Sequence, residues 1–319
     1  MPVTFHLIIP DAAFGPDAGA SPSNQPPMPS NLRALLAAMT PSARIECADD
    51  SPSTPCELAL AAANNLPGEP GYIPWAAFET GTVGLPCAFI KLCHLQVGTD
   101  HIMLSPPETV EVDLETSAVL MAAMAPYFLE DGIALRAHGA VPGTWLATGE
   151  PFRGLRTVST DQLAGRHLTR SMLESAGKSA DSSAALLRRL QNEMQMLLYT
   201  HPVNEACQQQ RLLPVNSFWV TGAGVLDQKV PFSPTVRVEP RLHAAALSRD
   251  AAAHAKAWQV VDTDTVADLL ARLRAGEEVL LTLCGNRAAQ TFERNKTGFL
   301  SRFKSLLGLQ PNQDVREQL

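Results

Sequence analysis

The chain has 319 residues, of which 45% are hydrophobic and 18% charged, and its formal charge is −7. That length and apolar content allow a substantial core and exclude a disordered chain, while the acidic balance argues against general nucleic-acid binding. No stretch approaches the roughly 18 uncharged apolar residues of a membrane span. The opening MPVTFHLIIPDAAF lacks a basic lead-in and a small-residue cleavage site, and the six cysteines form no CxxC pair. A cytoplasmic protein with reduced thiols and no membrane contact is therefore expected.

Thr4 to Pro10 reads as a short buried strand with Asp11 at its carboxyl end. Residues 15–30 (GPDAGASPSNQPPMPS) read as a flexible loop, after which Ser30 caps a helix running to Met39. Helical hints and breaks alternate from Pro41 to Gly71. FIKLCHLQV, Gly98-Thr99 and DHIML match a hairpin with a two-residue turn, pairing Val97 with Asp100 and His94 with Met103. That register puts His94 and His101 on one face and Cys93, Leu95, Ile102 and Leu104 on the other.

A helix follows over Ser117 to Leu129, bent or interrupted at Pro126, and then strands at ALRAHG and WLAT. Residues 149–180 look irregular. Leu186, Leu187, Leu190, Met194, Leu197 and Leu198 recur at helical spacing between Ser182 and Tyr199, and the proline of HPVN ends that helix. Further on come a helix from about His243 to Trp258, a strand QVVD, a helix VADLLARLRAG stopped at Gly276, and a strand EVLLTLCG. Strand, helix and strand in that order imply a parallel crossover.

The stretch from His201 to Gly224, HPVNEACQQQRLLPVNSFWVTGAG, carries the most chemistry. NSFWVTGAG reads as a buried strand leaving a parallel sheet at Thr221, where loops converge on a crevice. Gly222 and Gly224 would let backbone N–H groups approach a phosphate, although a plain turn has the same spelling. Asn204 and Asn216 each follow Pro-Val, where a short amide commonly holds its own turn. Arg211 suits a carboxylate or phosphate, or simply water.

The run from Gln195 to Gly224 resembles the RpfE-type regulatory protein family, which is similar to archaeal-type cofactor-independent phosphoglycerate mutases. CAFIKLCHLQVGTDHIMLSPP and PYFLEDGIAL extend the resemblance more loosely. It implies an alkaline-phosphatase-like or phosphoglycerate-mutase-like α/β fold, a mostly parallel sheet flanked by helices with an antiparallel hairpin region. It also implies Mn or Zn if mutase chemistry operates, with Asp11 as the first ligand. The match then departs from the mutases. Asp11 is followed by Ala-Ala rather than Gly, and EVLLTLCGNRAAQ offers neither Asp nor His, so a second metal has nothing to hold it.

Cys87, Cys93, His94, Asp100 and His101 are the other metal candidates, but their spacing fits no zinc module, and a half-polar sheet face accounts for them. Asp262 and Asp264 suit a metal or, more simply, the cap of the following helix. No GxSxG, Walker loop or GxGxxG occurs. The segment 291–308 is basic and amphipathic, fitting a docked helix or a contact with a protein partner.

The expected protein is a single α/β domain over residues 1–319, with a smaller lobe at about 85–150 and a mobile tail at 309–319. It would bind a phosphorylated small molecule through Asn204, Arg211, Asn216, Trp219, Gly222 and Gly224, in a regulatory role without the bimetal machinery. The alternatives are an active metal-dependent phosphoglycerate mutase or phosphatase, and a protein-interaction module using 291–308.

Overall fold

The computed structural model describes residues 4–14, 27–97, 102–105, 109–139, 141–163, 167–168, 182–295 and 314–319. Its strands are β1 (Phe5–Ile9), β2 (Met39–Glu46), β3 (Cys87–Cys93), β4 (Leu95–Val97), β5 (Ile102–Leu104), β6 (Ala134–Ala137), β7 (Thr144–Thr148), β8 (His167–Leu168), β9 (Ser217–Gly224), β10 (Val236–Val238), β11 (Val279–Cys284) and β12 (Ala288–Arg294). The helices are α1 (Ser30–Ala37), α2 (Pro55–Ala63), α3 (Trp75–Thr80), α4 (Leu114–Glu130), α5 (Thr160–Leu163), α6 (Ser182–Tyr199), α7 (Pro202–Gln209), α8 (His243–Leu247), α9 (Ala251–Val261) and α10 (Ala267–Ala275). The architecture is α/β, a central sheet flanked by helices, with antiparallel strands beside the parallel ones. The chain forms two compact units, one built from Met1–Asp49, Thr54–Asn64 and Phe232–Leu319, the other from Asp50–Ser53 and Asn65–Pro231.

In the first unit the strand order is β10-β1-β11-β12-β2. β1 runs parallel to β10 and β11, whereas β12 is antiparallel to both β11 and β2. The run FHLII is apolar on both sides because helices cover both faces. Leu7 and Ile9 join Leu32, Leu35, Trp258 and Leu269 on one side, while Ile8 meets Ala59 on the other. Each such fully buried side chain contributes about 1.5–3 kcal/mol of transfer free energy. β2 is an exposed edge, and its Pro41 sits where an edge strand tolerates a missing donor.

The parallel crossover exists, but it joins β10 to β11. The expected strand QVVD is helical instead, because α9 runs through Val261 into a π-helical turn over Asp262–Val266 and on into α10. Asp262 is buried there, and it does not cap the helix that follows it. Its carboxylate accepts hydrogen bonds from the backbone N–H groups of Asn31 and Leu32, at 3.1 and 2.8 Å, so it caps α1 from 230 residues away. Ser30, expected as that cap, is the first helical residue.

The second unit holds a four-stranded sheet of order β6-β7-β3-β9, in which each neighbouring pair is antiparallel. β9 therefore does not end a parallel sheet at Thr221 as expected; it continues to Gly224 along the edge of an antiparallel one. Ala88, Ile90, Trp145, Ala147, Phe218 and Val220 point to one face, which α4 and α6 cover with Leu120, Met124, Phe128, Leu190, Met194 and Leu198. The helix over Ser182–Tyr199 coincides with the expected one. Pro126 lies inside α4 without ending it, and the proline of HPVN opens the next helix, α7, besides closing α6.

β4 and β5 do form a hairpin, shifted by two residues from the expected register, with Leu95 opposite Leu104 and Val97 opposite Ile102. An even shift keeps each side chain on its face, so Leu95 and Leu104 still bury together with Cys93 and Trp219. Asp100 and His101 lie outside the described residues, as do 15–26 of the expected loop and 296–308 of the basic segment. Residues 291–294 of that segment are the end of β12, a strand rather than a helix. Of the expected tail, residues 314–319 pack on the first core, with Leu319 buried and its oxygen accepting from the N–H groups of Arg287 and Ala288.

Candidate functional site

The carboxyl ends of β1 and β11 lie side by side in the first unit, and the chain turns sharply as it leaves β1. Asp11 takes up the left-handed conformation (φ 52°), which the following residues reinforce: the Ala12 N–H donates to the Cys284 carbonyl at 2.7 Å. The helices of the crossover then clamp this turn. His254 Nε2 donates to the Asp11 carbonyl at 2.8 Å, and the Trp258 indole N–H donates to the Ala12 carbonyl at 3.2 Å. Phe14 packs on the His254 ring with centroids 5.0 Å apart. Burial holds the His254 pKa below its ordinary value, so its imidazole is neutral where an exposed one would begin to charge.

With its backbone fixed, the Asp11 carboxylate accepts a hydrogen bond from His243 Nδ1 at 3.0 Å, and both side chains remain partly open to solvent. This is a carboxylate-oriented imidazole at the carboxyl edge of three parallel strands, the position at which open α/β sheets collect ligands. Beneath it the Cys56 thiol is hydrogen-bonded to Cys284; that bond, together with burial, raises the Cys56 pKa well above its ordinary value. The Cys56 thiol is therefore protonated and offers no thiolate to a metal.

Just past the end of the neighbouring strand β10, Glu239 is almost fully buried and accepts from Arg241 Nε at 2.7 Å, from Arg241 Nη2 at 2.6 Å and from the Thr265 hydroxyl at 2.6 Å. The guanidinium bonds hold its carboxyl down at about 2. It is committed to joining β10 to the helical crossover. Among the described residues, no group of three or more His, Cys, Asp or Glu side chains is placed to hold a metal ion. Among the described residues, the donor set around Asp11 is therefore smaller than a two-metal centre takes.

Sequence reasoning missed His243 and His254. An Ala-rich helix with occasional histidines carries no functional spelling, and their partner lies more than 230 residues upstream.

The ligand candidates of the second unit are engaged in structure. Asn204 is buried on α7 and donates to the carbonyls of Leu198 and Val215 at 2.7 and 2.6 Å, tying the end of α6 to the strand entry. Asn216 accepts from the Leu95 N–H at 2.7 Å and donates to its carbonyl at 2.9 Å, imitating a strand partner. The Trp219 indole donates to Val158 O at 2.9 Å. Arg211 is exposed, in a left-handed turn (φ 59°) after α7.

Gly222 and Gly224 are explained by close packing. A Cβ on Gly222 would sit 2.9 Å from Trp75 Cβ, and one on Gly224 2.7 Å from Pro74 Cβ, so the glycines let the start of α3 lie directly on β9. His94 Nδ1 pairs with Pro214 O at 2.7 Å. Cys93 and Cys87 are buried thiols whose pKa values desolvation raises to about 12 and about 11.

The fold and the edge define a two-unit α/β protein with an aspartate–histidine pair at the mouth of its parallel strands. No helix among the described residues is long and apolar enough to cross a membrane. No family model and no curated protein matches the chain. Among solved structures it is similar to a cofactor-independent phosphoglycerate mutase from Thermoplasma acidophilum DSM 1728, at 14% identity over 92% of this chain and 90% of that one, with a TM-score of 0.35. It is also similar to the PH0037 protein from Pyrococcus horikoshii, at 13% identity over 93% and 89%, with a TM-score of 0.39.

Proposed function

We propose that this protein is a small-ligand-binding, regulatory relative of the phosphoglycerate-mutase type of scaffold, and that its ligand docks at the Asp11–His243 pair rather than at a bimetal phosphotransfer centre. One observation carries the reading: the pair is open to solvent at the carboxyl edge, while the groups around it are already committed to the fold. Asp11 orients the imidazole through Nδ1, and when that ring carries its second proton Nε2 offers a donor to an anionic group such as a phosphate. Among the described residues, no nearby carboxylate adds the further ligands that metal-assisted phosphoryl transfer requires.

The test combines binding with metal content. Purified protein is screened by thermal shift against phosphorylated and carboxylated metabolites, phosphoglycerates included, in parallel with Asp11→Asn and His243→Gln. A ligand in hundredfold excess over its Kd adds about 2.7 kcal/mol to the wild-type protein, and both variants should lose most of that gain. Stoichiometric Mn or Zn, together with phosphoglycerate or p-nitrophenyl phosphate turnover abolished by chelator, would replace this reading with an enzymatic one.

A further inference from the structure

The second face of the four-stranded sheet in the second unit carries an arrangement that neither the core nor the Asp11 site uses. β3 is the inner strand between β7 and β9, and Lys91 is its one residue that is not fully buried. Ile90 and Leu92 point into the α4 and α6 core, so Lys91 must point to the opposite face, between Thr144 on β7 and Trp219 on β9. A lysine in mid-sheet costs desolvation unless its ammonium reaches polar partners. Nζ donates to the Thr160 hydroxyl at 3.2 Å.

Two other ionisable side chains from separate elements meet the same face. His138 follows β6, and its ring packs against Phe89 of β3, two residues before Lys91, with centroids 4.7 Å apart. Its Nε2 lies 3.9 Å from the Glu79 carboxylate of α3. Glu79 senses both His138 and Lys91 electrostatically, which places the carboxylate close to the two side chains. Arg136 shares this face, opposite Leu146, which is itself opposite Phe89. The contacts are loose, since 3.9 Å is beyond a hydrogen bond and Glu79 is nearly half exposed.

We infer that Lys91, His138 and Thr160 form a binding subsite for the phosphate group of a small molecule, with Glu79 standing in as an internal counter-ion that the incoming anion displaces. The ammonium, the imidazole and the hydroxyl supply a point charge, a directional N–H donor and an O–H donor, a set suited to a phosphate group. A carboxylate on a helix end swings away without disturbing the sheet. The subsite uses none of the residues of the Asp11–His243 pair, so it stands or falls independently of the reading given above.

Titration of the full chain with inorganic phosphate, followed by calorimetry and by the His138 ring resonances, tests the assignment. Acetate serves as the comparison anion. Saturable phosphate binding is expected, with acetate weaker. Glu79→Gln removes the competing charge and tightens phosphate binding roughly fivefold, the effect of one unit charge at about 4 Å under water-like screening. Lys91→Met weakens it by at least as much, and every arm is run in a His243→Gln background so that phosphate at the Asp11–His243 pair does not contribute. A Glu79→Gln protein that binds phosphate no better than wild type overturns the proposal, as does a folded Lys91→Met protein with undiminished affinity. Should Lys91→Met fail to fold, His138→Gln decides in its place, and unchanged affinity there is equally fatal.

Discussion

His6 gives the first unit a pH dependence that can be worked out from the structure. Its Nε2 pairs with the fully buried Thr282 hydroxyl at 2.7 Å, and Thr282 in turn pairs with Thr291 at 2.8 Å, so the ring lies across β1 and β11 with little water around it. Burial lowers its pKa from 6.5 to about 4. Because the folded value is the lower one, the unfolded chain takes up the proton first. The stability due to neutral His6 is whole above about pH 6.5 and drains away as pH falls towards 4. Between about pH 7.5 and about pH 5 the loss amounts to about 2 kcal/mol. Glutamine at position 6 keeps a hydrogen-bonding group and does not titrate.

The assay is hydrogen exchange at the β1 amides of Leu7, Ile8 and Ile9, corrected for intrinsic rates, in wild type and His6→Gln across that range. Wild type should lose protection relative to the variant by about 2 kcal/mol, while the effect of His254, whose pKa is also lowered, cancels in the comparison. Parallel curves, or a His6 ring resonance titrating at the ordinary 6.5, would refute the reasoning.

Asp262→Ala removes the distant cap of α1 and should cost about 1–2 kcal/mol, seen as faster exchange confined to residues 30–37 and their contacts. Gly222→Ala meets both a left-handed φ of 64° and the Trp75 side chain, so a loss of about 1–3 kcal/mol is expected in the second unit's denaturant midpoint. Glu239→Gln strips the charge from a buried group with three side-chain donors. It should destabilise the first unit by about 3 kcal/mol near neutrality, a deficit that narrows as pH falls from about 4.5 towards the wild-type Glu239 pKa of about 2.

What could be read from residue order was what depends on local periodicity. FHLII, VLLTLC and the long amphipathic helix over 182–199 announce themselves because burial on both faces or on one stripe leaves a regular pattern. β2 was illegible, since an exposed edge containing a proline has no such pattern. QVVD spells a strand, yet tertiary packing extends a helix through it. The direction of β9 was misjudged because a fully buried strand looks the same in a parallel sheet and in an antiparallel one backed by helices.

The same limit applies to the site. Asp11 was visible as the residue that ends a buried strand, but its partners were not, since His243 and Cys284 become neighbours only through the crossover. The Pro-Val-Asn repeats and the glycines looked chemical because buried amides and bare backbone serve close packing as readily as they serve ligands.

The order in which the chain is laid down follows from how the first unit is sewn together. β1 finds its partners only in β10 and β11, with His6 opposite Val236 and Leu280. At about 5–20 residues per second, a ribosome leaves that apolar strand unmatched for tens of seconds. Almost all of the second unit comes from one unbroken stretch, Asn65–Pro231, and is complete before β10 emerges. The nascent protein therefore carries one finished body and one sticky, half-built edge, and it is at this stage, rather than in the mature fold, that a chaperone has most to protect.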